Sequence, residues 1–284
     1  MILLTGATGK TGGEAAKALA ARGIKARALV RDAGKAAALQ AMGHELAIGD
    51  VSDVASVKSA LKGVERVLVL LPNSQQQEAL EKQLVDLAKQ AGAKHVVKLS
   101  SMEAMASATT PIPKGHWAVE EHIRKSGLAW TMVKPNFFMQ NLLGSAASIK
   151  AKQMFSFPFA NGRTAMADTR DIGAVTAEVL AGRGHENQSY EITGPELITF
   201  HEVADRFTEV LGTKITYVPA DPAVFKEIMK RVLTSEWHLN AVMELFGEIA
   251  EGGLNTTTDT FQKLMKRPPI SLTQFIRDHI NAYR

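Results

Sequence analysis

Residues 5–12 read Thr-Gly-Ala-Thr-Gly-Lys-Thr-Gly. They sit between the apolar run Ile2–Thr5 and a segment, Gly12–Arg22, in which Ala15, Ala16, Leu19 and Ala20 share one helical face. That position, between a first strand and a first helix, constrains the fold more than the glycines alone. Gly6 permits a tight turn, Gly9 lets the backbone approach a pyrophosphate, and Gly12 lets the helix pack against the strand. The helix start then offers unpaired N–H groups and a partial positive charge. Thr5, Gly6, Thr8, Gly9, Lys10, Thr11 and Gly12 are therefore expected to bind a dinucleotide.

The pattern repeats along the first half of the chain. Strand-like runs at Lys25–Val30, Glu45–Ile48, Arg66–Leu71, His95–Ser100 and Trp130–Lys134 alternate with helical stretches. These are Ala33–Met42, Ser52–Leu61, Glu78–Ala91, with Leu80, Leu84, Leu87 and Ala91 on one stripe, and Trp117–Lys125. Strands separated by helices of about a dozen residues imply a parallel sheet with helices on both faces. Right-handed crossovers reduce the choices to a doubly wound sheet. The fold class expected is thus α/β, a Rossmann-type doubly wound parallel sheet with a smaller, mostly helical C-terminal substrate region. The boundaries read are 1–135 for the dinucleotide-binding domain, with a returning strand near 188–194, and 136–284 for the substrate region. Asp171 reads as an N-cap for Ile172–Leu180, and Thr199-x-x-Glu202 and Ser271-x-x-Gln274 as capping boxes.

Composition narrows the chemistry. The 284 residues contain no cysteine, which removes disulfides, thiolate chemistry and cysteine–zinc sites. The 33 basic residues are scattered, with no aromatic-interleaved basic stripe, so no nucleic-acid partner is expected. No apolar stretch is long enough for a bilayer, and MILLTG runs straight into the first strand. A cytoplasmic address, no membrane partner and a monomer or homodimer are the expectations. His116, Glu120 and His122 lack a convincing third ligand on one face, so no metal is expected.

The choice between nicotinamide cofactors rests on the end of the second strand, where Arg31 comes first and Asp32 second. A basic side chain there binds the 2′-phosphate of NADP and an acidic one the ribose hydroxyls of NAD. NADPH is expected over NADH, with Asp32 left to read the ribose or to cap the next helix.

The spacing Thr-Gly-x-x-Gly-x-x-Gly, with Arg31 closing strand two, resembles the short-chain dehydrogenase superfamily, and more particularly its NmrA-like atypical branch. Further stretches carry the resemblance: Gly49-Asp50, Leu70-Leu71-Pro72, Ser100-Ser101, Lys134-Pro135-Asn136-Phe137-Phe138-Met139-Gln140-Asn141, Asp168-x-x-Asp171-Ile172-Gly173, Tyr190–Pro195 and Arg267-Pro268-Pro269. It implies cofactor contacts at Asp50, Val51, Leu70, Leu71, Pro72, Ser100, Pro135, Asn136, Phe137 and Phe138. It also implies one of two roles. Some members reduce quinones, dyes or other conjugated compounds with NADPH, and others bind the dinucleotide without turnover as redox-sensing regulators.

The Tyr-x-x-x-Lys pair of ordinary short-chain enzymes is absent, because none of Tyr190, Tyr217 and Tyr283 has lysine four positions on. His116, in His-x-x-x-Glu with Glu120, resembles the quinone and dye reductases, where a histidine replaces that lysine. It is the candidate catalytic residue, as hydrogen-bond or proton donor to a hydride acceptor, with bonding to the cofactor ribose as the plainer role. Glu120 either orients the histidine or faces solvent. Phe137, Phe138, Met139, Met154, Phe155, Phe157 and Phe159 form a dense apolar stretch. Two or three of them are expected to face the site and, with His116, to meet a hydrophobic small-molecule substrate, Phe138 and Met139 foremost, with a core as the plainer role for most of the stretch. The segment Pro222–Glu251 reads as helical, a wall of the substrate region or an oligomer contact.

Overall fold

The computed structural model describes residues 1–284. It divides into two compact units, the first made of 1–109, 113–135 and 169–191, the second of 110–112, 136–168 and 192–284.

The first unit carries β1 (Ile2–Leu4), β2 (Arg27–Val30), β3 (Glu45–Ile48), β4 (Arg66–Val69), β5 (His95–Leu99), β6 (Ala129–Pro135) and β7 (Gln188–Ile192). Its helices are α1 (Lys10–Ala21), α2 (Ala37–Ala41), α3 (Val54–Ala60), α4 (Gln77–Gln90), α5 (Pro111–Lys125) and α6 (Thr169–Ala181). The seven strands lie in the order β3-β2-β1-β4-β5-β6-β7. Strands β1 to β6 pair in parallel, for example Leu3 with Arg27 on one side and Val67 on the other. Strand β1 therefore lies where the winding reverses, and its carboxyl end is where ligands of such sheets bind. One face of the core joins Leu3, Val67, Val69 and Val96 from the sheet to Val57, Leu84, Val85, Val119 and Ile123 from α3, α4 and α5. No helix is long and apolar enough to cross a membrane.

Three local readings change. Helix α5 starts at Pro111, not Trp117. Prolines are tolerated in a first helical turn, where no N–H is required, so Pro111 and Pro113 begin this helix instead of delaying it. Helix α6 starts at Thr169, which puts Asp171 inside the first turn as a buried acid and not at the N-cap. On α4 the buried face is Gln77, Glu81, Leu84, Val85, Leu87 and Ala88, while Leu80 is half-buried and Ala91 exposed. A glutamate occupies the centre of a face expected to be apolar because Lys98 of β5 meets it there.

In the second unit the Phe137–Phe159 stretch is not an open loop. It contains a 3-10 turn at Met139–Ser145, a helix at Ala146–Lys152 and a short strand at Met154–Phe155. Phe137, Phe157, Phe159, Phe200 and Phe246 form one ring cluster, with Phe137 edge-on to Phe159 at 5.5 Å and Phe157 stacked on Phe159 at 5.3 Å. Aromatic pairs at such spacings add to the burial of their area, and this cluster is the unit's core. Thr199 and Glu202 close the capping box that starts helix Phe200–Leu211. Ser271 caps Leu272–Asp278 through the Gln274 amide. The Pro222–Glu251 segment is two helices, Pro222–Met229 and Glu236–Ala250.

Candidate functional site

The glycine turn closes as its sequence requires. Gly6 sits at φ +66°, and its carbonyl accepts the Gly9 amide at 2.9 Å. A Cβ on Gly6 would lie 2.7 Å from Leu70 O, and one on Gly12 would collide with the Gly6 carbonyl, 2.7 Å from its carbon. Gly9 is the N-cap of α1, and neither a side-chain cap nor an acid occupies the first turn. The first amides of α1 are thus left for an anion, with Thr8, Gly9 and Lys10 exposed around them. Thr5 has a different task from the phosphate contact expected of it. Its buried hydroxyl bonds Leu68 O at 2.8 Å and accepts the Leu70 amide at 3.0 Å, stapling β1 to the end of β4. Thr11 is buried within α1.

Arg31 follows β2 with its side chain 81% exposed, 4.0 Å from Asp50 Oδ2. Two of the expected cofactor-binding residues, Arg31 and Asp50, are therefore brought together. Bonds from the Ser52 hydroxyl and amide hold the Asp50 carboxyl below its ordinary range, and Arg31 adds to this. Val51 is half-buried beside it. Asp32 accepts the Gly34 amide at 2.8 Å, so it caps the following turn. Leu70, Leu71 and Pro72 continue from β4, and the Leu71 amide is held by Glu81 at 3.1 Å.

The candidate catalytic histidine lies in the second turn of α5, not at a helix start, and is buried. Its Nδ1 has no hydrogen-bond partner. Burial first, then the charges of Lys98 and Lys134, hold its pKa well below the ordinary histidine value. His116 is accordingly a neutral imidazole with a free ring nitrogen. Glu120 neither faces solvent nor orients it through Nδ1. It is wholly buried, accepting the Ser100 hydroxyl at 2.5 Å and Arg124 at 2.7 Å, with Lys134 Nζ at 3.4 Å. Helical spacing placed Glu120 one turn from His116, but the lysine and arginine claim it. Lys134 is also anchored to Ala104 O at 2.6 Å. His122 belongs to neither group and bonds Asp86 at 2.7 Å.

Lys98, Glu81 and Lys134 were not among the candidates. A lone lysine in His-Val-Val-Lys-Leu carries no sequence signal of its ion pair, because the acid that meets it lies on a helix 17 residues away. Of the stretch after β6, Pro135 is buried at the strand's end, and Asn136 and Phe137 are committed within the second unit. Asn136 Oδ1 accepts the Thr164 hydroxyl and the Phe137 amide, and its Nδ2 donates to Leu254 O. The Phe137 ring is core, so neither side chain is placed as the cofactor contact that was expected. Met139 is 2% exposed, whereas Phe138 is half-buried, which leaves Phe138 the more accessible of that pair.

The model of the NmrA-like family matches residues 1–276. An NAD(P)H azoreductase of Xenophilus azovorans is 35% identical over all of this chain and 99% of its own. The (4-alkanoyl-5-oxo-2,5-dihydrofuran-3-yl)methyl phosphate reductase of Streptomyces griseus is 31% identical, again over all of this chain and 99% of its own. Among solved structures, the NADPH-dependent quinone oxidoreductase of Escherichia coli complexed with NADPH superposes with a TM-score of 0.89 at 28% identity, covering 99% of this chain and 100% of that one. With the glycine turn, the strand order and a full-length match in agreement, the chain belongs to the NmrA-like family.

Proposed function

We propose that this protein is an NADPH-dependent reductase that delivers hydride to a conjugated hydrophobic small molecule, foremost a quinone or an azo dye. The observation that carries the reading is His116, a buried, uncharged imidazole with a free nitrogen, in the unit that holds the glycine turn. The full-length likeness to an azoreductase and a quinone oxidoreductase supports the substrate class.

The residues fit the dinucleotide. The α1 amides, with Gly9, Gly12, Thr8 and Lys10, hold the pyrophosphate, Arg31 the 2′-phosphate, Asp50 and Val51 the adenine side, and Leu70 to Pro72 with Ser100 the nicotinamide side. The chemistry the dinucleotide supplies when bound is a hydride, and a quinone or azo bond that takes it needs one further proton to become hydroquinone or hydrazine. His116 donates a hydrogen bond to the acceptor atom that gains the negative charge, and the proton that completes the reduction comes from solvent. A neutral imidazole suits this because its N–H is a donor matched to an oxygen or nitrogen acquiring charge. The protein otherwise positions the reactants. A cytoplasmic monomer or homodimer completes the proposal.

The test is NADPH oxidation at 340 nm with a quinone, an azo dye, an enone and a triarylmethane dye. Turnover is expected with at least the quinone or the azo dye. NADPH binding with no turnover across the panel would leave the dinucleotide-sensing role in place of the reductase.

Arg31 has its own measurement. The pair it makes with Asp50 is exposed and worth little, so a phosphate can claim the guanidinium readily. Arg31→Ala is expected to weaken NADPH binding by about 2 kcal/mol and leave NADH nearly unchanged. Equal losses in titrations with the two cofactors would show that Arg31 does not read the 2′-phosphate.

A further inference from the structure

Lys98 of β5 and Glu81 of α4 have no exposed side-chain surface. Lys98 Nζ stands 3.0 Å from Glu81 Oε1 and 2.9 Å from Oε2, and also donates to Leu99 O at 2.6 Å. Glu81 Oε1 accepts the Leu71 amide at 3.1 Å and Gln77 Nε2 at 3.4 Å, while Oε2 makes no hydrogen bond despite its closeness to the lysine. Burial pushes the Glu81 carboxyl up against the pull of Lys98. A pair like this is a poor way to stabilise a core. Desolvation consumes most of the attraction, and apolar side chains of similar volume serve as well or better. The neighbouring strand residues Val96, Val97 and Leu99 are apolar and buried, so the packing around it does not call for charge.

What the pair touches is more telling. At one end it holds the Leu71 amide, in the connection that leaves β4 beside the glycine turn. At the other, Lys98 is one of two cations that bear on His116. We propose that the Lys98–Glu81 pair is a positioning device of the reductase site, fixing the end of β4 through the Leu71 amide and setting the charged surroundings of His116. The proposal rests on the functional reading given above.

The charged groups around His116 come from three elements. Lys98 lies on β5 and Lys134 on β6, and Glu120 is one turn along α5 with its oxygens engaged by Ser100, Arg124 and Lys134. Glu81, on α4, pairs with Lys98. Both lysines and burial oppose a proton on His116. Removing the Lys98 charge takes away one of these three influences, so the imidazole's proton affinity rises toward its ordinary value.

Two double variants separate the two ends of the device. Lys98→Met/Glu81→Gln removes the charges but keeps an oxygen for the Leu71 amide, and Lys98→Met/Glu81→Leu removes both. In the parent, His116 is expected to stay uncharged where a free imidazole titrates, near pH 6.5, as followed by NMR of its ring nitrogens. In both variants its titration moves to higher pH, and the pH profile of kcat/KM acquires an inflection that the parent lacks. Only the leucine variant is expected to lose NADPH affinity, by several-fold, while both keep a melting temperature within a few degrees of the parent. Identical His116 titrations in all three proteins, or identical NADPH affinities, would overturn the proposal. So would a parent His116 that titrates at its ordinary value, whether or not the variants fold. Absence of turnover with every acceptor would fail the reductase reading alone, since the titration and the affinity are measured without it.

Discussion

Gly12→Ala is expected to lose NADPH binding by a hundredfold or more, about 2.7 kcal/mol, in a fluorescence titration. The added Cβ would collide with the Gly6 carbonyl, and both atoms are backbone-fixed within the turn. Relief requires that α1 move away from β1, which withdraws the amides from the phosphates. The same strain is expected to lower folding stability by about 1–3 kcal/mol, the usual cost of an added methyl where no space exists. Gly9→Ala offers the contrast. Its Cβ would stand 3.2 Å from the Gly6 carbonyl oxygen, a contact the turn relieves by a small shift. A milder loss is expected there. Gly12→Ala that binds NADPH within threefold of the parent would refute the account of the turn as a pyrophosphate cradle.

His116→Ala is expected to lower kcat by about a hundredfold to a thousandfold with NADPH affinity kept within a few-fold. The division between kcat and binding is what distinguishes a donor to the acceptor from a ribose contact, because a ribose contact would be lost in NADPH affinity first. The substitution also removes a buried ring nitrogen that lacks a partner in the free protein, so part of the cavity cost is offset. A fall in stability alone does not reproduce the pattern, and a melting curve beside the kinetics checks it. Retention of kcat within threefold would assign the hydrogen bond to another group and leave His116 a neutral filler of its pocket.

The sign of the pH response follows from the same burial. His116 keeps its proton affinity low in the folded protein, whereas the unfolded chain takes up a proton near pH 6.5. The group therefore costs nothing above that pH and destabilises the fold as the pH drops below it. His95, buried on β5 with its pKa lowered to about 4 by burial and by Arg66, adds to the loss in the same direction between those two values.

Much of this protein was determined locally and can be read in its residues. The turn Thr5–Gly12 needs glycine where φ is positive or a Cβ would meet backbone, and only a helix following a strand puts those needs in that order. The strand–helix alternation then implies a parallel sheet, since parallel neighbours require crossovers. Asp32 and Thr199 declare themselves as caps because a side-chain oxygen and an amide a few residues away form a self-contained unit. The state of the site was decided elsewhere. Lys98 looks like any strand lysine until α4 brings Glu81 against it, 17 residues away in sequence. Glu120 looks like the partner of His116 by helical spacing, yet Ser100, Arg124 and Lys134 take its oxygens. Phe137 and Asn136 sit in a stretch that resembles a cofactor loop, but their side chains are held by Phe159, Thr164 and Leu254, 22 to 118 residues along the chain. Hydrogen-bond reach and helical period are local properties that a sequence displays. Burial, and with it the charge of a histidine or the pairing of a lysine, depends on which distant surfaces meet, and only the tertiary structure brings them together.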